Sequence, residues 1–256
     1  MPGVTQQVSH DGMLLRLTVD QPKGNIFSGD VMQQLTQLVQ TAQARRELRA
    51  ITLEAEGKHF SFGASVEEHT ADRVAEMLPV LRQLVLVIAA SEIPVIGLVQ
   101  GMCLGGAFEV VLACHLIFAS SDSRMGVPEI RLGVFPPVAA VLLPRKLGQA
   151  SADSLILSGE EWGGERLHAL GLTHQIFPAD SLQSGFLQWF EGSLGKYSGV
   201  SIRQAVKAAR AGMLAELGAE LEAREQQYVA ELMKLEDANE GIAAFLERRT
   251  PQWRNA

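Results

Sequence analysis

The chain alternates between short apolar runs and amphipathic stretches, and the order of those runs predicts its elements. Met13–Val19 alternates well enough for a strand, after a turn at His10-Asp11-Gly12. A polar loop, Gln21–Asn25, leads to Ser28, an N-cap for a helix carrying Val31, Leu35 and Leu38 at helical spacing. Ala50–Leu53 reads as a second strand, and Glu56-Gly57-Lys58 turns the chain back. His59–Ser65 is a short segment ending in small residues. Helix follows over Met77–Ala90, with Leu78, Leu81, Leu84, Val85 and Ile88 on one face.

The apolar run Pro94–Val99 suits a buried strand, a glycine-rich turn follows, and helix begins near Gly105-Gly106. His115–Ala119 is strand-like, and His115 suits a hydrogen-bonded core histidine. Met125–Ile130 reads as extended and Leu132–Pro137 as a constrained loop. Beyond Val138 the pattern is helical, except for a strand signal near Thr173–Phe177, and Ser201–Arg249 reads as helices. Repeated strand–turn–helix units followed by helices make this an α/β chain. We divide it into a core, 1–195, and a helical region, 196–256.

Bulk properties narrow the class. The 256 residues are 47% hydrophobic and 20% charged, enough for a sizeable core. A net charge of −7, with no long basic run, argues against nucleic acid as partner. An anionic ligand would need local Lys or Arg and helix N-termini. The two cysteines, Cys103 and Cys114, exclude a disulfide framework and have no zinc spacing, so no metal is expected. The N-terminal MPGVTQQVSHDG lacks the basic and apolar regions of a signal peptide, and no apolar run reaches about 18 residues. We expect a soluble cytoplasmic protein without membrane association.

Candidate chemistry lies in three turns. Glycines at a helix start leave N–H groups uncovered where the helix dipole is positive. Gly105-Gly106 is such a place, and Phe62-Gly63-Ala64 presents another N–H after a glycine. Two such donors can hold a carbonyl oxygen that becomes negative. Glu109 follows the first pair within one turn, and Glu129 follows a stiffening Pro128. Two carboxyls in an apolar pocket can divide into acid and base, as addition of water beside a carbonyl requires. From these residues alone, two unrelated surface glutamates and ordinary helix–strand packing fit as well. A serine hydrolase is disfavoured, because no GxSxG occurs.

Four blocks, HFSFGAS, PVIGLVQGMCLGGAFEVVLACHLIFAS, GVPEIRLGVFP and EGIAAFLERR, resemble the crotonase (enoyl-CoA hydratase/isomerase) superfamily in order and spacing. The resemblance covers nearly the whole chain. It implies a ββα spiral core with a helical C-terminal trimerisation region, and trimers that pair into hexamers. It implies an acyl-CoA thioester as substrate, with coenzyme A bound along Lys23–Asn25 and Gly63–Val66 and no separate cofactor. Ala64 and Gly106 match the two oxyanion-hole positions, and Glu109 and Glu129 the two glutamates of the hydratases. Gly63, Ser65, Val66 and Gly105 fall beside them, and Lys23 at the nucleotide end.

Departures from the family pattern bear on the acyl group. The usual glycine-rich loop is replaced by Phe135–Ala140, and Phe62 replaces a small residue. The added volume fits a ring better than a flexible chain, with Phe135, Pro136 and Pro137 as candidate walls. HFSFGASVEEH and PEIRLGVFPP look most like members that hydrate a cyclic dienoyl thioester. A general enoyl-CoA hydratase and a non-catalytic acyl-CoA-binding protein on the same scaffold are the alternatives. Among the remaining residues, His69 is expected to be solvated or helix-capping, with lining of the acyl pocket as the alternative. Arg248 and Arg249 are expected to cap their helix dipole or pair with glutamates. Phe245 suits either core packing or a ligand contact.

Overall fold

The computed structural model describes residues 3–256. The reading of the N-terminal segment reaches Met1 and Pro2, which lie outside them. Strands β1 (Gly3–Ser9) and β2 (Leu14–Asp20) form a hairpin, followed by helix α1 (Gly29–Ala42), β3 (Ala50–Ala55) and α2 (Val74–Ala90). Then come β4 (Val95–Val99), β5 (Met102–Leu104) and α3 (Gly105–Ala113), and after them β6 (Leu116–Ser120) and β7 (Arg124–Gly126). Helices α4 (Ala139–Leu147) and α5 (Gln149–Ser158) precede β8 (Glu161–Gly163), α6 (Gly164–Ala169) and β9 (Gln175–Phe177). Helices α7 (Leu182–Gly192), α8 (Gly199–Ala230) and α9 (Glu236–Leu246) end the chain.

Six strands form one sheet in the order β1-β2-β3-β4-β6-β9, parallel except for the first pair. A smaller sheet has the order β5-β7-β8. Successive units contribute one strand to each sheet: β4 pairs with β6 in the large one, and β5 with β7 in the small one. This is the ββα spiral.

Both faces of the large sheet are covered, so the central strand β4 is apolar throughout rather than alternating. Ile96 and Leu98 of β4 pack with Phe118, Phe186 and Phe190 under α7, whereas Val95 and Val99 face the main core with α2 and α3. The N-cap at Ser28 is present, its Oγ accepting the Val31 N–H at 3.5 Å.

Several elements depart from the sequence reading, among them β5, which forms within the stretch read as a glycine-rich turn. β1 was not anticipated, because GVTQQVS has no apolar alternation; it is a polar edge strand held by pairing with β2. β8 is three residues long and too short to leave a periodic signal. The extended run at Met125–Ile130 stops at Gly126. Pro128–Leu132 is a 3-10 turn, because Pro128 suits a first helical position and Gly133 closes the turn at φ +72°.

Candidate active site

The site begins where β5 runs into α3. Every residue of α3 is buried, which its apolar sequence dictates, and Glu109 is its sole ionisable group at 2% exposure. Four residues after Gly105, its side chain returns to the face on which the helix starts. Its Oε1 accepts the N–H groups of Val138 and Ala139, both at 2.8 Å. These donors open α4, so a helix N-terminus holds the carboxyl.

Glu129 comes from the 3-10 turn. Its Oε1 stands so close to Gly105 that a Cβ built there would lie 2.9 Å away. Gly105 also has φ +52°, so its identity is set both by the backbone and by the carboxyl it admits. Glu129 Oε2 is buried with no hydrogen-bond partner among the described residues. Burial raises both carboxyls. For Glu109 the two backbone donors work against burial and leave it at about 7. Glu129, without comparable donors and in the negative field of Glu109, is pushed well above the carboxylate range. Glu109 is therefore the more easily ionised member of the pair.

The two candidate donors lie side by side. Gly63 is fixed by its N–H to Ser61 Oγ at 3.0 Å and by its carbonyl, which accepts the Phe27 N–H at 2.9 Å. Ala64 follows, its N–H without an acceptor among the described residues. A Cβ on Gly106 would fall 2.8 Å from the Ala64 Cβ, so the two turns are in contact. Gly106 occupies the first turn of α3, where N–H groups have no intrahelical acceptor.

Gly63, Ala64, Gly105, Gly106 and Glu129 border a cavity of about 440 Å³, walled by Val66, His69, Leu132, Val134 and Ile242. Glu109 is buried and is not among the residues that border the cavity. The exposed rings of Phe62 and Phe245 also border the cavity, as does Arg249, which pairs with Glu240 and Glu247. Lys23 is exposed, beside Gly24, whose carbonyl accepts the Phe62 N–H at 3.0 Å. Ser65 lies off the wall, its carbonyl bonded to His69 Nδ1 at 2.7 Å.

Phe135 and Pro137 do not wall the cavity. After the Gly133 turn the chain directs Val134 to it and Phe135 away, against the Tyr228 ring at 5.3 Å between centroids, and Pro137 is buried. His69 takes the alternative place on the cavity wall rather than in solvent, its Nδ1 bonded to the Ser65 carbonyl, and burial lowers its pKa. His115 is only half satisfied: Nδ1 accepts the Val95 N–H at 3.0 Å, and Nε2 has no partner. Sequence reasoning passed over Tyr228, although Leu217, Leu221 and Tyr228 share one buried stripe of α8 and a hydroxyl in such a stripe is a signal. Among the described residues no cluster could hold a metal ion, and no helix is long and apolar enough to cross a membrane.

Two free N–H groups beside two buried carboxyls suit stabilisation of an enolate and transfer of protons next to it. The profile of the enoyl-CoA hydratase/isomerase family matches residues 10–256. The chain belongs to that family. Enoyl-CoA hydratases are carbon–oxygen lyases, and this chain is an enzyme of that class, with an acyl-CoA thioester as substrate. It is 42% identical over 248 residues to cyclohexa-1,5-dienecarbonyl-CoA hydratase of Thauera aromatica, covering 97% of this chain and 95% of that one. It is 30% identical to 2,3-dehydroadipyl-CoA hydratase of Escherichia coli, over 96% of this chain and 97% of the relative. An enoyl-CoA hydratase structure from Mycobacterium avium subsp. paratuberculosis superposes with a TM-score of 0.86 at 26% identity, covering 98% of each chain.

The buried acid pair costs stability. Each carboxyl is raised when folded, so between about 4.5 and 7 the native chain keeps protons that the unfolded chain releases. Stability is greatest below that window and falls as pH rises through it. Glu129→Gln removes one titration. Its Tm is expected to exceed the wild-type value at pH 8 by about 2–4 °C or more, with the gap closing towards pH 4.5. Thermal melts across that range check this; a constant gap contradicts it.

Proposed function

We propose that this enzyme adds water to cyclohexa-1,5-diene-1-carbonyl-CoA, giving 6-hydroxycyclohex-1-ene-1-carbonyl-CoA, in anaerobic benzoyl-CoA breakdown. The observation that carries the reading is the contact between the Ala64 and Gly106 turns, with Glu129 on the same cavity. The likeness to the Thauera aromatica enzyme supports the cyclic substrate.

In this reading the thioester oxygen accepts the Ala64 and Gly106 N–H groups. The Glu109 carboxylate takes a proton from water, and the water oxygen bonds to the ring carbon β to the thioester. The displaced π electrons move onto the carbonyl oxygen, forming a dienolate between the two donors. Glu129 gives its proton to the far end of the dienolate, and the electrons return to leave one conjugated double bond. This is a 1,4-addition. The opposed environments of the two carboxyls support the assignment, Glu109 braced by backbone donors and Glu129 enclosed without them. Coenzyme A enters as part of the substrate, along Lys23–Asn25 and Gly63–Val66, and no cofactor is required. The working form is a homo-oligomer, a trimer or a dimer of trimers, in the cytoplasm.

The alternative is a general hydratase of short or branched enoyl-CoA, supported by the Escherichia coli relative. A non-catalytic acyl-CoA-binding role would not require both carboxyls. Product analysis in deuterated water, with the cyclic dienoyl-CoA and crotonyl-CoA side by side, separates these. We expect the cyclic hydroxy product with deuterium at the ring carbon distant from the thioester. Efficient crotonyl-CoA hydration without cyclic turnover overturns the choice of substrate.

A further inference from the structure

Tyr228 sits in the last turns of α8, 1% exposed, with its ring edge-on to Phe135. Its hydroxyl has no hydrogen-bond partner among the described residues. The same is true of Glu129 Oε2. Buried polar atoms are nearly always satisfied, and a buried water needs two to four polar partners. The Tyr228 hydroxyl and Glu129 Oε2 each have capacity for a partner that the described residues do not supply.

Their placement ties them to the chemistry. Phe135, against which Tyr228 packs, opens the loop whose Val138 and Ala139 N–H groups hold Glu109. Burial first, and the neighbouring carboxyl pair second, raise the pKa of the phenol, so it stays protonated at working pH. A phenol that keeps its proton is no base, but its oxygen can accept a hydrogen bond.

We propose that Tyr228 Oη is a further ligand of the water that the enzyme adds, fixing that water between the phenol and the Glu109–Glu129 pair. This rests on the hydratase reading above. The water gives one hydrogen to the Glu109 carboxylate, which abstracts it. The other is held on Tyr228 Oη and stays with the oxygen that becomes the product hydroxyl. Tyr228 gains and loses no proton; it sets the direction of the attacking lone pair. The C-terminal helical region thus supplies a group to the reaction centre, not only a packing surface.

The test is Tyr228→Phe, which removes the hydroxyl and keeps the ring. Hydration kcat is expected to fall about 10- to 100-fold with KM within about twofold. Tm should equal or exceed the wild-type value, because phenylalanine leaves no orphaned hydroxyl. Unchanged kcat overturns the proposal, as does a fall in kcat that merely tracks lost folded protein in the melts. A crystal structure of the wild-type enzyme is the second measurement. An ordered water bonded to both Tyr228 Oη and a carboxyl of the pair supports the proposal, and its absence overturns it. That outcome does not depend on turnover: if the wild type hydrates neither thioester, the functional reading fails while the water site is still judged.

Discussion

Glutamine at position 129 is expected to lower hydration about 100- to 10,000-fold, the usual contribution of a positioned acid or base. Gln keeps the shape of Glu129 beside Gly105 but has no carboxylic proton to give. Glu109→Gln should lose a similar factor for the opposite reason. Its amide oxygen can still accept from Val138 and Ala139, so the side chain keeps its place, but it cannot take a proton from water. The two variants therefore separate chemistry from folding, and steady-state kinetics on protein checked by circular dichroism reads the difference. Wild-type rates in both would sink the acid–base assignment. The pH profile gives an independent check. With Glu109 at about 7 as base, kcat/KM of the wild type should decline below neutral pH, and the Glu109→Gln variant should lose that limb.

The second large effect belongs to the paired turns. Backbone N–H groups cannot be deleted, but Gly106→Ala places a methyl 2.8 Å from the Ala64 Cβ. Real Cβ atoms do not approach so closely, so the turns must part and the two donors lose their common focus. We expect kcat to fall about 100- to 1,000-fold, as when one oxyanion donor is lost, while the thioester still binds. Adding Ala64→Gly removes the opposing methyl. The double variant Ala64→Gly with Gly106→Ala should recover most of the lost rate, although each change alone is harmful or neutral. Failure of that recovery would mean that spacing between the turns is not what limits the reaction.

Much of this site was legible in the chain because it is made of local signals. Gly105-Gly106 follows a strand and opens a helix, and Glu109 lies one turn on, so spacing alone puts donor and carboxyl at one place. Pro128 before Glu129 marked a rigid turn, although its 3-10 form was read as extended because proline fits both. What escaped notice depends on distant partners. His69 carries no signal that separates a pocket residue from a solvated one, and only the fold decides for the cavity wall. Phe135 looked like a wall residue because it is large and adjacent, yet the left-handed Gly133 gives that place to Val134. Tyr228 is about a hundred residues from Glu129 in sequence and packs on Phe135 only when α8 folds back. β1 is held by its neighbour rather than by its own pattern.

The brace on Glu109 has a consequence for how this scaffold diversifies. Its two donors are main-chain groups of Val138 and Ala139, so no single replacement there other than proline deletes them. Substitutions along Phe135–Ala140 can alter volume and stiffness without removing the hydrogen bonds that set the basicity of the carboxyl. Variation in this loop and variation in proton affinity are thereby uncoupled. A library randomised over residues 134–140, excluding proline at 138 and 139, should yield enzymes with new acyl preferences that retain the wild-type acidic limb.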